Sequence, residues 1–262
     1  MTRDSSNAET RFAFGAPAGL AYRSAGDDGG VGSLEWRAPV FGVLSEDFGG
    51  WRELVLPSAV TRTMGRGFQI AQYNHRTLLA SIRGGTLAAE VDAEGVRFSV
   101  AELPDTYVGR HVATMAERGD LTGASFTFVL KAPSYWATLG QLREVGIAGV
   151  PIGDVRLGEY DADGDAGDDT YVRVLTEIAV YESGPVDMPA YPEPVVSRAR
   201  DNAARELHAT RGLPVDELAG AMAERRLGEL LAGTGAPDPT PARRTISLEL
   251  ARELARPRYS VV

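Results

Sequence analysis

With no cysteine and only three histidines in 262 residues, the chemistry open to this chain is narrow. Thiol nucleophiles, disulfides and cysteine-ligated metals are excluded, so nucleophilic hydrolysis would need a serine or threonine hydroxyl with histidine as its base. A serine hydroxyl is a weak nucleophile near neutral pH until a neighbouring imidazole can accept its proton. His75 stands in YNHRT, just after a strand-like run, at the kind of strand-to-loop junction from which side chains project into clefts. His111 falls within an amphipathic segment, beside its buried face, and His208 lies in a helical tail. Each of the three also fits a structural role, and the junction favours His75. Ser125 lies in GDLTGASFTF, after a glycine-containing turn and at the start of a strand. Gly123 lets the backbone come close to a substrate and would leave the amides of residues 123–126 turned toward a developing oxyanion. A turn serine that only caps the strand fits the same residues.

The elements around these residues are mostly short strands. LEWRAPVFGVL (34–44), WRELVL (51–56), FQIAQYN (68–74), LLASI (78–82), TLAAEVD (86–92) and VRFSVAEL (96–103) are broken by glycine and acidic turns. Alternation places Val96, Phe98 and Val100 on one face, and AEG (93–95) suits a hairpin connection. The spacing predicts a helix over 105–118, with Asp105 as its cap, Val108, Val112 and Met115 on one face, and Gly119 as its stop. A strand follows from about residue 124 to 132, and YVRVLTEIAVYE (171–182) is the most strand-like segment of all. PVDMPAYPEP (185–194) is too proline-rich for a helix or a central strand. Residues 1–33 read as a loose arm with room for one strand, 34–196 as the main domain with an insertion at 133–170, and 197–262 as a helical tail with a linker. In the tail, ARDNAARELHAT and PVDELAGAMAERRLGELLAG read as two helices, with Leu218, Met222 and Leu230 apolar, and ISLELARELAR (246–256) as a third. The fold class is mainly β with surrounding helices.

An apolar fraction of 44% supports a buried core, and a net charge of −9 argues against a nucleic-acid binder. The start lacks a basic head with an apolar stretch, and no run of about 18 apolar residues occurs, so a soluble intracellular protein is expected. The acidic turn DADGDAGDD (161–169) is not a calcium loop: counted from Asp161, glycine falls at position 4 and Val172 at position 12, where an EF-hand needs glycine at 6 and glutamate at 12. HExxH, P-loop and GxGxxG signatures are missing, so no metal and no cofactor is expected. The arginine pairs 225–226 and 243–244 are too short for a nucleic-acid patch.

Four segments, taken in order, resemble the prohead proteases of tailed phages. WRAPVFGVLSEDFGGWRELVLPSAVTRTM (36–64) is similar to their opening strand, turn and E-x-hydrophobic-x-P-x-A segment. QYNHR (72–76) is similar to their histidine motif, and VRFSVAELPDTYVGRHVATMAERGDLTGASFTF (96–128) to their strand, helix and G-x-S-F-x-F serine motif. LTEIAVYESGPVDMPAYP (175–192) resembles their closing strand and P-A-Y-P exit. The resemblance implies a fold like the herpesvirus maturation proteases, a closed or nearly closed β-barrel with helices around it. It implies a serine endopeptidase acting in the host cytoplasm, inside the assembling prohead, on scaffolding protein or the scaffold-like segment of the major capsid protein. His75 would be the general base, Ser125 the nucleophile and Glu182 the group that orients His75. Glu177 is the second choice for that third role, and strand alternation puts it on the face opposite Glu182. Asp187, standing where the family has threonine, is the last choice. Thr127 replaces a frequent glycine, with little consequence expected. The tail would direct packaging into the prohead and be removed by self-cleavage. The rival readings are a non-catalytic assembly or scaffolding protein with a protease-like domain, and an esterase-type hydrolase. The esterase is disfavoured because G-x-S-x-G is missing and the base precedes the nucleophile. Oligomeric state stays open, a homo-oligomer among the options; neither a membrane nor nucleic acid is an expected partner.

Overall fold

A computed structural model describes residues 8–233 apart from 15–18, 27–28, 58, 61–63, 65–68, 122, 146–155, 158–165 and 188–192. The P-A-Y-P exit, most of the acidic turn, and the linker and third tail helix beyond residue 233 lie outside the described residues. In chain order the strands β1 (Glu9–Phe14), β2 (Ala21–Arg23), β3 (Ser33–Val40), β4 (Val43–Leu44), β5 (Trp51–Val55), β6 (Ile70–Tyr73), β7 (Thr77–Ser81), β8 (Ala88–Val91) and β9 (Gly95–Val100) precede helix α1 (Tyr107–Glu117). Then come β10 (Gly123–Leu130), β11 (Tyr135–Thr138), α2 (Leu139–Val145), β12 (Arg156–Leu157), β13 (Tyr171–Leu175) and β14 (Ile178–Val186). Three helices follow: α3 (Glu193–Arg211), α4 (Val215–Ala223) and α5 (Leu227–Gly233).

The fold is mainly β, and the strands form three sheets rather than a barrel. Their orders are β1-β10-β14-β6-β7, β11-β13-β5-β4-β12 and β2-β3-β9-β8. The expected closed barrel is absent among the described residues, because the first sheet ends on β1 and β7, each paired on one side only. The 133–170 insertion explains where further strands went. It supplies β11 and β12, the two outer strands of the second sheet. No helix among the described residues is long and apolar enough to cross a membrane.

Alternation holds where a strand has one core face. Val96, Phe98 and Val100 of β9 are fully buried, and Phe98 stacks on Trp36 of β3 at 5.7 Å between ring centroids. In α1, Val112 is buried and Val108 and Met115 pack partly against the same core. The cap differs from expectation: Thr106 is the N-cap, its Oγ1 accepting from Gly109 N–H at 3.2 Å, while Asp105 pairs with Arg110. Gly119, at φ 78°, ends the helix.

Two of the prolines at 185–194 sit within regular elements, and Pro189 and Pro192 lie outside the described residues. Pro185 is inside β14, and Pro194 falls in the first turn of α3, where a missing N–H is harmless. The Pro185 carbonyl accepts from Asn74 N–H at 3.1 Å, so this residue faces away from β10 and its lacking donor removes no rung of that ladder. The second expected tail helix is split into α4 and α5 at Arg225, which adopts φ 57°.

Helices α3–α5 pack on the second sheet through a separate apolar cluster of Phe48, Trp51, Trp136, Ala203, Leu207, Leu218, Met222 and Leu227, all buried. A buried ion cluster joins the same parts. Arg11 of β1 pairs with Glu9 at 2.6 Å and with Glu53 of β5. Arg173 of β13 reaches Glu9 and Glu53 at 2.8 and 2.9 Å, and Glu206 of α3 at 2.8 Å. Burial alone would push the Glu9 carboxyl up, but Arg173 and Arg11 more than offset it and hold it below its ordinary value. Arg173→Met would remove one of the two buried cations that Glu9 and Glu53 share, leaving Arg11 alone between them. We expect that variant to lose about 3–5 kcal/mol of stability, read as a lower urea midpoint at unchanged slope; an unmoved midpoint would show the cluster to be energetically neutral.

Candidate active site

The site is built on the first sheet, and its position follows from one tight turn. Asn74 and His75 link β6 to β7 with φ of 51° and 58°, and Arg76 N–H closes the turn on the Tyr73 carbonyl at 3.1 Å. Two consecutive positive φ values are the mark of a type I′ turn, whose second central position usually holds glycine. A histidine there is strained, at a cost on the order of 1 kcal/mol or more. Asparagine tolerates the left-handed region, and here it does a second job: its Oδ1 accepts from Asp187 N–H at 3.2 Å, tying the turn to the end of β14.

That turn carries the His75 ring back over the sheet. Nδ1 of His75 lies 2.7 Å from Glu182 Oε2, with the imidazole 27% and the carboxylate 9% exposed. Against a carboxylate acceptor, Nδ1 donates and the proton-accepting position falls to Nε2. The same Oε2 accepts from Thr127 Oγ1 at 2.8 Å, while Oε1 is buried with no hydrogen-bond partner among the described residues. Thr127 Oγ1 in turn lies 3.1 Å from Thr10 Oγ1.

Register organises these groups into rows. Thr10, Thr127 and Glu182 are cross-strand partners through β1, β10 and β14, and Glu182 continues to Ile70 of β6. Ser125 and Gly184 are partners in the next row on the same face, two residues along. Ser125 therefore stands one strand over and two residues along from Glu182, roughly 8 Å between Cα positions at about 4.8 Å between strands and 3.4 Å per residue. Gly184 leaves the place opposite Ser125 bare, and a methyl there would lie 2.0 Å from the Gln72 carbonyl, so β6 and β14 meet too closely for any side chain. Ser125 is fully buried, and its Oγ makes one long contact, 3.5 Å, to the Gly184 carbonyl. On the opposite face Ser183 donates to the Ser125 carbonyl at 2.8 Å and accepts from Trp36 Nε1 at 2.9 Å, locking the serine strand from behind.

His75 and Glu182 are thus brought together, with Ser125 in the adjoining row. The other candidates lie elsewhere. Asp187 is exposed and accepts from the Tyr73 hydroxyl at 2.9 Å, and that hydroxyl also lies 3.2 Å from His111 Nε2. Burial first, then the bond to Asp187 and its charge, push the Tyr73 phenol up to about 12. His111 also stacks on Tyr107. His208 Nδ1 lies 2.7 Å from the Leu213 carbonyl, closing the end of α3. Glu177 immediately precedes β14, and its carbonyl accepts from Lys131 and Ala132 N–H. The parity argument that set it on the face opposite Glu182 fails, because the register shifts between Thr127 and Phe128 and leaves Tyr181 as an extra residue. The turn expected to free the 123–126 amides is strand: Gly123–Phe126 pair with β1 on one side and β14 on the other, so the ladders use those groups.

Comparison with known families matches residues 21–208 to the family described as caudovirus prohead serine protease. No curated protein and no solved structure matches the chain significantly.

Proposed function

The chain belongs to the family of caudovirus prohead serine proteases, and from that premise we propose that it is a capsid-maturation endopeptidase in which Ser125 attacks, His75 is the base and Glu182 orients the base. The observation that supports the assignment most is the 2.7 Å contact between His75 Nδ1 and Glu182 Oε2, one row from Ser125. In the acylation step, Nε2 of His75 takes the Ser125 proton as Oγ bonds to the scissile carbonyl carbon. The imidazolium, held by Glu182, then protonates the departing amine. In deacylation His75 Nε2 takes a proton from water as the water oxygen bonds to the acyl carbon, and the ring gives that proton to Ser125 Oγ as the ester C–O bond breaks. Because Ser125 is fully buried, the groups that cover it are displaced before a substrate carbonyl reaches its Oγ.

The proposed substrates are the scaffolding protein or the scaffold-like segment of the major capsid protein, met inside the assembling prohead. Confinement there raises the effective concentration of enzyme and substrate, so modest intrinsic turnover suffices. The non-catalytic scaffolding reading has one observation in its favour, the complete burial of Ser125. Co-expression with the capsid precursor separates the two. The parent chain shortens the precursor and Ser125→Ala leaves it full length; equal shortening by both proteins would end the enzyme reading for Ser125, and no shortening by either would favour the scaffold.

A further inference from the structure

We propose that β1 completes the active site, with Thr127 and Thr10 acting as positioning residues for Glu182. The proposal rests on the catalytic reading above and extends it to Thr127 and, through it, to a strand outside the matched span, which begins at residue 21, whereas β1 covers Glu9–Phe14.

The hydrogen bonds have one consistent direction. A carboxylate only accepts, so the Thr127 hydroxyl spends its single proton on Glu182 Oε2 at 2.8 Å. Thr127 Oγ1 then has only lone pairs to offer Thr10, and the proton in that 3.1 Å contact belongs to Thr10. The result is a row of donors, Thr10 to Thr127 to Glu182, met from the other side by His75 Nδ1–H. Oε1 has no partner among the described residues, so apart from His75 the carboxylate has one protein donor there, Thr127. Without it, the group that should orient the imidazole would itself be oriented only by the imidazole.

Thr10 is held by more than its strand ladder. Arg11, its neighbour, donates to the Thr10 carbonyl at 2.8 Å and is locked by Glu53 and Glu9 in the buried ion cluster. The cluster thereby fixes the register that brings Thr10 opposite Thr127. A segment lying before the matched span sets the geometry of the catalytic carboxylate.

Deleting residues 1–14 would strip partners from Arg173 and Glu53 and unfold the chain, so point variants carry the test. With cleavage of purified capsid precursor as the readout, Thr127→Val is expected to lower kcat about ten-fold, the worth of one hydrogen bond to a charged group, with KM unchanged. Thr127→Ser restores it. Thr10→Val is expected to lower kcat roughly three-fold through weakened polarisation of the row, and Thr10→Ser restores it. The downfield proton resonance of the His75 Nδ1–H bond, read in the resting protein, shifts in Thr127→Val and returns in Thr127→Ser. Parental kcat and an unmoved resonance in Thr127→Val would overturn the proposal for Thr127, and parental kcat in Thr10→Val would overturn it for β1. If the parent chain cleaves nothing, the catalytic reading fails on its own, and the resonance, which needs no turnover, still decides whether the row holds the imidazole's partner.

Discussion

Ser125→Ala and His75→Ala are each expected to lower precursor cleavage by a factor on the order of 10⁶, and the double variant to lose no more than either alone. On the proposed assignment nucleophile and base act as a unit: with the hydroxyl gone there is no proton for the ring to take, and with the ring gone the hydroxyl stays protonated. Residual cleavage would come from substrate binding and from whatever donors hold the oxyanion. Initial rates on purified precursor, with unfolding midpoints showing that each variant folds, make the comparison. Losses that multiply in the double variant would mean that the two residues work independently, and the assignment would fail.

The second large effect concerns Glu182. Glu182→Ala removes orientation and charge together and is expected to cost roughly 10⁴-fold in kcat. Glu182→Gln is expected to be far milder, a loss of about 10²-fold. The reason is specific to this site: both neighbours of Oε2, His75 Nδ1 and Thr127 Oγ1, are donors, so the glutamine carbonyl occupies that position and the amide NH₂ falls where Oε1 has no partner. Tautomer and orientation survive, and only the charge that stabilises the imidazolium is lost. Near-parental cleavage by Glu182→Ala would remove Glu182 from the triad. Equal losses for the two variants would show that charge alone carries the role.

Much of this was legible in the residues, and the exceptions have physical causes. Strands with one apolar face, such as β9, announce themselves by period, and α1 by its 108, 112, 115 spacing. The pairing of His75 with Glu182 was open to the resemblance but not to local pattern, since it joins residues 107 apart through a parallel contact of β6 and β14. The extra residue at Tyr181 defeated alternation as a guide to Glu177, since a bulge inverts parity without any composition signal. Thr127 looked inconsequential because its significance lies across the sheet, on Glu182, and not along its own strand. Polar, glycine-rich text around β1 gave the arm no core face: Glu9 and Arg11 are charged yet buried, and Glu53 and Arg173, far along the chain, make that tolerable. The insertion was equally opaque, because β11 and β12 are outer strands whose partners, β13 and β4, lie elsewhere in sequence.

The paired left-handed residues at 74 and 75 bear on how relatives of this chain can be sorted. Backbone comfort at the second of these positions favours glycine, whereas the proposed role of His75 asks for an imidazole. A lineage that kept the shell-building role and dropped peptide cleavage would feel only the first pressure, and its turn would drift from Asn-His to Asn-Gly. On the proposed assignment, a homologue whose turn reads Asn-Gly is expected to leave the capsid precursor full length, and precursor cleavage by such a protein would count against His75 as the base.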